Sequence, residues 1–104
     1  MGQCPNIFRP PLPARMITRE VTVRNRAGVH TRPASMIVRE ASRFEAEFFI
    51  KKDGYEINGK SIIGVMTLAA EQGATLDLLF EGSDEEAAAD ALEALFERGF
   101  DEAL

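Results

Sequence analysis

The segment EAEFFIKKDGYEINGKSIIGVMTLA, residues 45–69, decides the fold because it carries a hairpin and a helix start in immediate succession. Glu45 to Lys51 has the residue types of a strand, and the Asp53-Gly54 pair is a tight-turn signal. Tyr55 to Ile57 then returns as a short strand, which predicts a β-hairpin. After a second turn, Ser61 is placed as the N-cap of a short helix.

A strand and a longer helix are predicted before the hairpin. Apolar and polar residues alternate from Ile17 to Arg24, which is the period of a half-buried strand, and a loop containing Gly28 follows. A helix is predicted from about His30 to Arg43, with Pro33 in its first turn, where a missing N–H costs little. The apolar residues of this helix fall on one face: Ala34, Ile37, Val38 and Ala41.

The short helix, placed over Ile62 to Ala69, is followed by one more strand and one more helix. Thr75 to Phe80 reads as the strand, and Ser83-Asp84-Glu85-Glu86 reads as a capping box that opens a helix closed by Gly99. The element order is therefore β-α-β-β-α-β-α. It predicts an α+β fold, a two-layer open-faced sandwich with three helices on one face of a four-stranded sheet.

Composition narrows the classes of function. The chain has 104 residues, a net charge of −5 and one cysteine, Cys4, which argues against general nucleic-acid binding, a disulfide framework and any CxxC metal or redox motif. We expect a Pro-rich N-terminal tail over residues 1–15 and a single domain over 16–104. Neither a secretory signal nor a membrane-inserted segment is expected, and the composition fits a reducing cytoplasm.

The stretch NRAGVHTRPAS, residues 25–35, is the strongest candidate for a functional site. His30 is the only histidine and stands at the predicted start of a helix, where free N–H groups and a partial positive charge favour a bound anion. Arg32 is a forked, permanently charged donor suited to a phosphoryl oxygen. On the residues alone, a surface or capping histidine remains an alternative. No catalytic triad, metal cluster or Walker loop surrounds His30, so neither a cofactor nor a self-sufficient enzyme is predicted.

Two motifs resemble those of the HPr family, the histidine-containing phosphocarriers of the bacterial phosphoenolpyruvate-dependent phosphotransferase system. Residues 28–35, GVHTRPAS, resemble the family's active-centre signature, and residues 59–66, GKSIIGVM, resemble its regulatory-serine segment. The resemblance extends from Met16 to about Asp101, and the family's element order, on a four-stranded antiparallel sheet, agrees with the predicted one.

The resemblance implies a carrier. It makes His30 the residue that accepts a phosphoryl group on Nδ1 from phosphorylated enzyme I and passes it to an enzyme IIA acceptor in sugar uptake. Arg32 would stabilise the phosphoryl group, and Ser61 would be the target of an HPr kinase/phosphorylase. We expect the carrier to act as a monomer.

The resemblance also implies a docking surface beside the two phosphorylation sites. It would comprise Thr31, Arg39, Ile62, Ile63 and Val65, with Arg43 as a further basic residue at its rim. Ile62 and Ile63 match the family's exposed apolar patch best, and the arginines would attract acidic partners.

Two alternatives remain open from the sequence. The nitrogen-regulatory branch of the family keeps the histidine and often resembles the LFERGFD ending at residues 95–101, whereas the segment around Ser61 favours the kinase-regulated carriers. A ferredoxin-like small-ligand sensor shares part of the element order, but it would leave His30 without a role.

Overall fold

The structure is a computed structural model that describes residues 16–104; the predicted tail lies outside the described residues. The elements follow the predicted order: β1 Met16–Thr22, α1 Thr31–Ala41, β2 Glu47–Lys52, β3 Tyr55–Asn58, α2 Ile62–Thr67, β4 Thr75–Glu81 and α3 Glu85–Glu97. A single turn of 3-10 helix, Gly99–Asp101, follows α3. The boundaries differ from the predicted ones by at most two residues, as expected where helix and strand ends fray.

The four strands form one antiparallel sheet in the order β1-β4-β2-β3. The sequence places β4 late in the chain, yet it lies between β1 and β2, with Leu78 opposite Ile50 of β2. Successive side chains of a strand point to opposite faces, so Phe48 lies on the inner face while Phe49 lies on the outer one. The inner face is buried by the helices, and the half-buried outer residues confirm an open face.

The core lies between the inner face of the sheet and the three helices. From the sheet, the rings of Phe48 and Phe80 stack with their centroids 4.7 Å apart, and both are buried. Ile37 of α1 and Leu92 of α3 are fully buried on the helical side. The predicted two-layer α+β sandwich is therefore confirmed.

Arg19 interrupts the apolar inner face of β1 and is accommodated by α3. Its Nη1 donates to Glu93 at 2.6 Å and to Asp90 at 3.0 Å, and these contacts raise the pKa of Arg19. The half-buried guanidinium thus joins the edge strand to the last helix.

The start of α3 differs from the prediction. Asp84, not Ser83, is the N-cap, and it makes no side-chain capping bond; instead the Gly82 N–H donates to the carboxylate of Glu85 at 2.9 Å. The Asp84 carboxylate accepts the N–H groups of Glu45 and of the residue after it, both at 2.9 Å. The side chain expected within a capping box therefore connects the α3 start to the loop before β2.

We predict that Phe48→Ala destabilises the protein by about 3–5 kcal/mol, because it empties a fully buried site and removes the stacking partner of Phe80. Phe49→Ala is the matched control, since its ring lies half-buried on the open face and should cost less than half as much. Denaturant unfolding of both variants measures the difference. Equal losses would contradict the assignment of the inner and outer faces.

A second prediction concerns acid stability. The N–H of Glu45, aided by that of Ala46, lowers the pKa of Asp84, so its carboxylate stabilises the fold above the ordinary carboxyl pKa, and this stabilisation disappears as the pH falls toward the folded value. Asp84→Asn should therefore lower the Tm at pH 7 and do so less at pH 3. Asp53→Asn, in the exposed β2–β3 turn, where the carboxylate accepts a hydrogen bond from the Lys52 side chain at 3.1 Å, is the control and should lower the Tm at pH 7 less than Asp84→Asn does.

Candidate functional site

The loop between β1 and α1 is shaped by Asn25 and Gly28. The Asn25 side chain is fully buried, and its Nδ2 donates to the carbonyl of Gly28 at 2.7 Å. Gly28 has a φ of +75°, and a Cβ there would come within 2.6 Å of the Ala70 carbonyl oxygen, so only glycine fits. This tight loop leads directly to His30, where α1 starts.

His30 is the N-cap residue of α1, and its side chain is 44% exposed. Because the helix begins at Thr31, the N–H groups of Thr31 and Arg32 have no preceding turn to donate to, and Pro33 has no N–H at all. The imidazole thus lies at the positive end of a helix, whose first two N–H groups donate to no residue in the described part of the chain. This arrangement suits an anion attached to the ring.

The His30 ring contacts a residue that the sequence analysis missed. Its Nε2 lies 3.1 Å from both carboxylate oxygens of Glu102, whereas Nδ1 makes no hydrogen bond to any residue that the structure describes. Glu102 is only 17% exposed. The carboxylate therefore engages one ring nitrogen and leaves the other available.

Arg32 reaches the same carboxylate. Its Nη1 donates to Glu102 at 2.8 Å and to the Phe100 carbonyl at 2.9 Å. The Nδ2 of Asn25 donates to Glu102 as well, at 2.9 Å. The two residues that the sequence predicts to act together, His30 and Arg32, are thus connected through one glutamate.

The ionisation of Glu102 follows from these contacts. Burial raises the pKa of this carboxyl group, but the hydrogen bonds from the His30 ring, the Asn25 amide and the Arg32 guanidinium together outweigh burial. The pKa of Glu102 therefore lies below its ordinary value, and the group is a carboxylate at neutral pH.

An unusual C-terminal backbone brings Glu102 to the site. Gly99, Phe100 and Asp101 have φ values of +63°, +57° and +60°, three successive left-handed residues that reverse the chain after α3. The Phe100 ring is fully buried against Phe96. The only sequence signal here is the helix-ending Gly99, and no periodic pattern marks Glu102.

Ser61 lies at the start of α2 and caps it, as predicted. Its Oγ accepts the N–H of Gly64 at 3.0 Å. Lys60 is held beside it, since its Nζ donates to the Phe44 carbonyl at 2.8 Å. Helix α2 packs against α1, so the helix that carries the serine neighbours the helix that starts at the histidine.

The predicted docking residues separate into exposed and buried ones. Ile62 and Ile63 are 41% and 76% exposed, and Thr31 and Arg39 are exposed as well. The inclusion of Val65 is wrong: it is 1% exposed, because the inward side of the short helix is needed for the core. Met66, 41% exposed, was missed and lies beside the two isoleucines on the outer side of α2.

Over residues 16–104, no three His, Cys, Asp or Glu side chains are grouped so that they could hold a metal ion. No helix within that range is long and apolar enough to cross a membrane. Two shallow clefts, of about 390 and 300 Å³, share Lys52 and Asp53 near the β2–β3 turn and include none of the predicted site residues.

Comparison with known proteins points to one protein family. The profile of the family described as PTS HPr component phosphorylation site matches residues 17–98. The phosphocarrier protein HPr of Treponema pallidum is 49% identical over 84% of this chain and 99% of its own length. A crystal structure of HPr from Thermoanaerobacter tengcongensis has a TM-score of 0.81 at 40% identity, covering 85% of this chain and 99% of that chain.

Other relatives carry different names. An HPr-like protein Crh of Halalkalibacterium halodurans is 46% identical over 80% of this chain and 99% of its own length, and a phosphocarrier protein NPr of Proteus mirabilis is 39% identical over 81% and 94%. All of these relatives are matched over nearly their whole length. The chain therefore belongs to the HPr family, the histidine-containing phosphocarriers of the phosphotransferase system.

Proposed function

We propose that His30 accepts a phosphoryl group on Nδ1 from phosphorylated enzyme I and passes it to an enzyme IIA acceptor in sugar uptake. The observation that carries this proposal is the placement of an exposed imidazole at the N-terminus of α1, with its Nδ1 making no hydrogen bond to any residue from 16 to 104. The proposed setting is the cytoplasm.

The geometry supports transfer by positioning and charge rather than by a complete catalytic apparatus. The free N–H groups of Thr31 and Arg32 would donate to phosphoryl oxygens, and the positive end of the helix would stabilise their charge. The Arg32 guanidinium, 52% exposed, would donate to the phosphoryl group from Nε or Nη2, which make no hydrogen bond to any residue that the structure describes. Its Nη1 would keep the bond to Glu102.

We propose that partner proteins dock on a surface of apolar and basic residues next to His30. Ile62, Ile63 and Met66 would form its apolar part, and Arg39 its basic rim. Exposed apolar side chains of this size, grouped on one short helix, are typical of a binding surface. The proposed working state is a monomer, which leaves this surface open to donor and acceptor in turn.

Ser61 is the proposed target of an HPr kinase/phosphorylase. Its N-cap position supports this role, because a phosphate there would strengthen the helix start rather than unfold it. The added charge of about −1.5 to −2 would act on partners that dock over α2, since salt screens charges beyond about 8 Å. Regulation would therefore be local.

We predict a phosphoryl adduct on His30. Incubation with phosphoenolpyruvate and active enzyme I should add a single acid-labile phosphoryl group, detected by intact-protein mass spectrometry. His30→Ala should abolish the adduct without loss of fold, because the side chain is exposed. Absence of the adduct, with the same enzyme I active on another carrier, would overturn the proposal.

The adduct also allows the acceptor to be identified. Phosphorylated protein should be mixed with enzyme IIA proteins of the sugar and nitrogen branches, because the relatives include carriers named HPr and NPr. We expect faster transfer to the sugar-branch acceptor. Faster transfer to the nitrogen-branch protein would reassign the chain to that branch.

A further prediction concerns Ser61. Ser61→Asp should slow phosphorylation of His30 about tenfold, since a unit charge about 4 Å from a partner carboxylate costs up to ~4 kcal/mol before screening. Its fold should be retained because aspartate also caps helices. Ser61→Asn is the uncharged control and should transfer at nearly the normal rate. Unchanged kinetics in Ser61→Asp would contradict the proposed regulation.

A further inference from the structure

The C-terminal segment after α3 folds back against the start of α1, beside His30. The Arg26 N–H donates to the Ala103 carbonyl at 2.8 Å, and the Arg32 guanidinium donates to the Phe100 carbonyl at 2.9 Å. With the buried Phe100 ring as its anchor, this segment is bonded at one end to the first turn of α1 and at the other to the β1–α1 loop. Glu102 stands between these bonds and faces the His30 ring.

We propose that Glu102 is a positioning residue for His30, accepting a hydrogen bond from Nε2–H so that Nδ1 is kept as the unprotonated, nucleophilic nitrogen. This inference rests on the proposed function, in which Nδ1 takes the phosphoryl group. In a neutral imidazole only one nitrogen carries the proton, and the hydrogen bond made by one nitrogen determines the state of the other.

Glu102 can only accept hydrogen bonds from the groups that it contacts. Its carboxylate is ionised at neutral pH, because hydrogen bonds from His30, Asn25 and Arg32 outweigh burial and lower its pKa. An ionised carboxylate has no proton to donate, so the ring can satisfy a contact of 3.1 Å only with a protonated Nε2. The Asn25 amide and the Arg32 guanidinium hold the carboxylate in place from two other directions.

The same contact fits the transfer step. The lone pair of Nδ1 forms the new N–P bond, while the bond between phosphorus and the donor's own acceptor atom breaks and its electron pair stays on that atom. Nε2 keeps its proton throughout, so no base is required. The positive charge that develops on the ring lies next to the Glu102 carboxylate, which stabilises it.

The test measures the tautomer of His30 in the unphosphorylated protein by 15N NMR of the labelled imidazole at a pH where the ring is neutral. His30 is the only histidine, so the spectrum reports this ring alone. We expect a protonated Nε2 and an unprotonated Nδ1. In Glu102→Ala the two nitrogen resonances should move toward each other, because both tautomers become populated.

Two further variants test whether the change in the imidazole spectrum is specific to the hydrogen bond from His30 to Glu102. Asp101→Asn removes the neighbouring negative charge, which pairs only with Arg98 among the described residues, and should leave the imidazole spectrum unchanged. Glu102→Gln keeps one acceptor oxygen and should shift the resonances less than Glu102→Ala does. In the transfer assay, Glu102→Ala should slow phosphorylation roughly threefold to tenfold, the range expected for the loss of one hydrogen bond.

The outcomes are distinct. A protonated Nδ1 in the unaltered protein, or imidazole resonances unmoved in both Glu102 variants, would overturn the inference even if His30 is phosphorylated. A tautomer shift confined to the Glu102 variants supports it. Because the NMR measurement uses no donor protein, failure of the proposed phosphocarrier function would appear separately, as the absence of any adduct on His30.

Discussion

The buried amide of Asn25 is the interaction on which the site depends. Its Nδ2 donates both to the Gly28 carbonyl and to the Glu102 carboxylate. One side chain therefore connects the β1–α1 loop, which leads to His30, with the C-terminal segment that contains Glu102. A buried amide that loses its acceptors leaves an uncompensated donor, which costs about 1–3 kcal/mol. The loop and the C-terminal segment are therefore held together as one unit, supported by the core beneath.

Contacts between the two ends of the chain also explain its uneven distribution of charge. The arginines early in the sequence look like a basic surface around His30, but acids of α3 and the residues after it pair with several of them. Arg19 is paired with Asp90 and Glu93, and Arg24 lies 3.6 Å from Glu97. The acidic end of the chain is thus in part the counter-charge of the basic end. Arg26 in the β1–α1 loop and Arg39 on α1 are exposed and lie outside these pairs, so they supply the basic character that remains near the site.

Periodic features could be predicted from the sequence, and contacts between distant residues could not. The strands, the helices and the capping role of Ser61 follow from local pattern, because each depends on neighbours within a few residues. Val65 shows the limit of a resemblance to a motif: its place in the segment GKSIIGVM marks it as a docking residue, yet the inward turn of a short helix buries it. Glu102 lies 72 residues from His30, and only the left-handed reversal at Phe100 brings the two together.

A phosphocarrier must bind its phosphoryl group well enough to keep it and weakly enough to release it. In the unloaded state, the Arg32 guanidinium is shared between the Glu102 carboxylate and the Phe100 carbonyl. Both bonds come from Nη1, whereas Nε and Nη2 make no hydrogen bond within residues 16–104, so Arg32 could donate to a phosphoryl oxygen without leaving Glu102. In the proposed carrier, Arg32 would therefore bind the phosphoryl group while still holding Glu102 beside the ring. Because the guanidinium is half exposed, water would weaken its hydrogen bonds to that group, and weak bonds favour release to an acceptor over permanent capture.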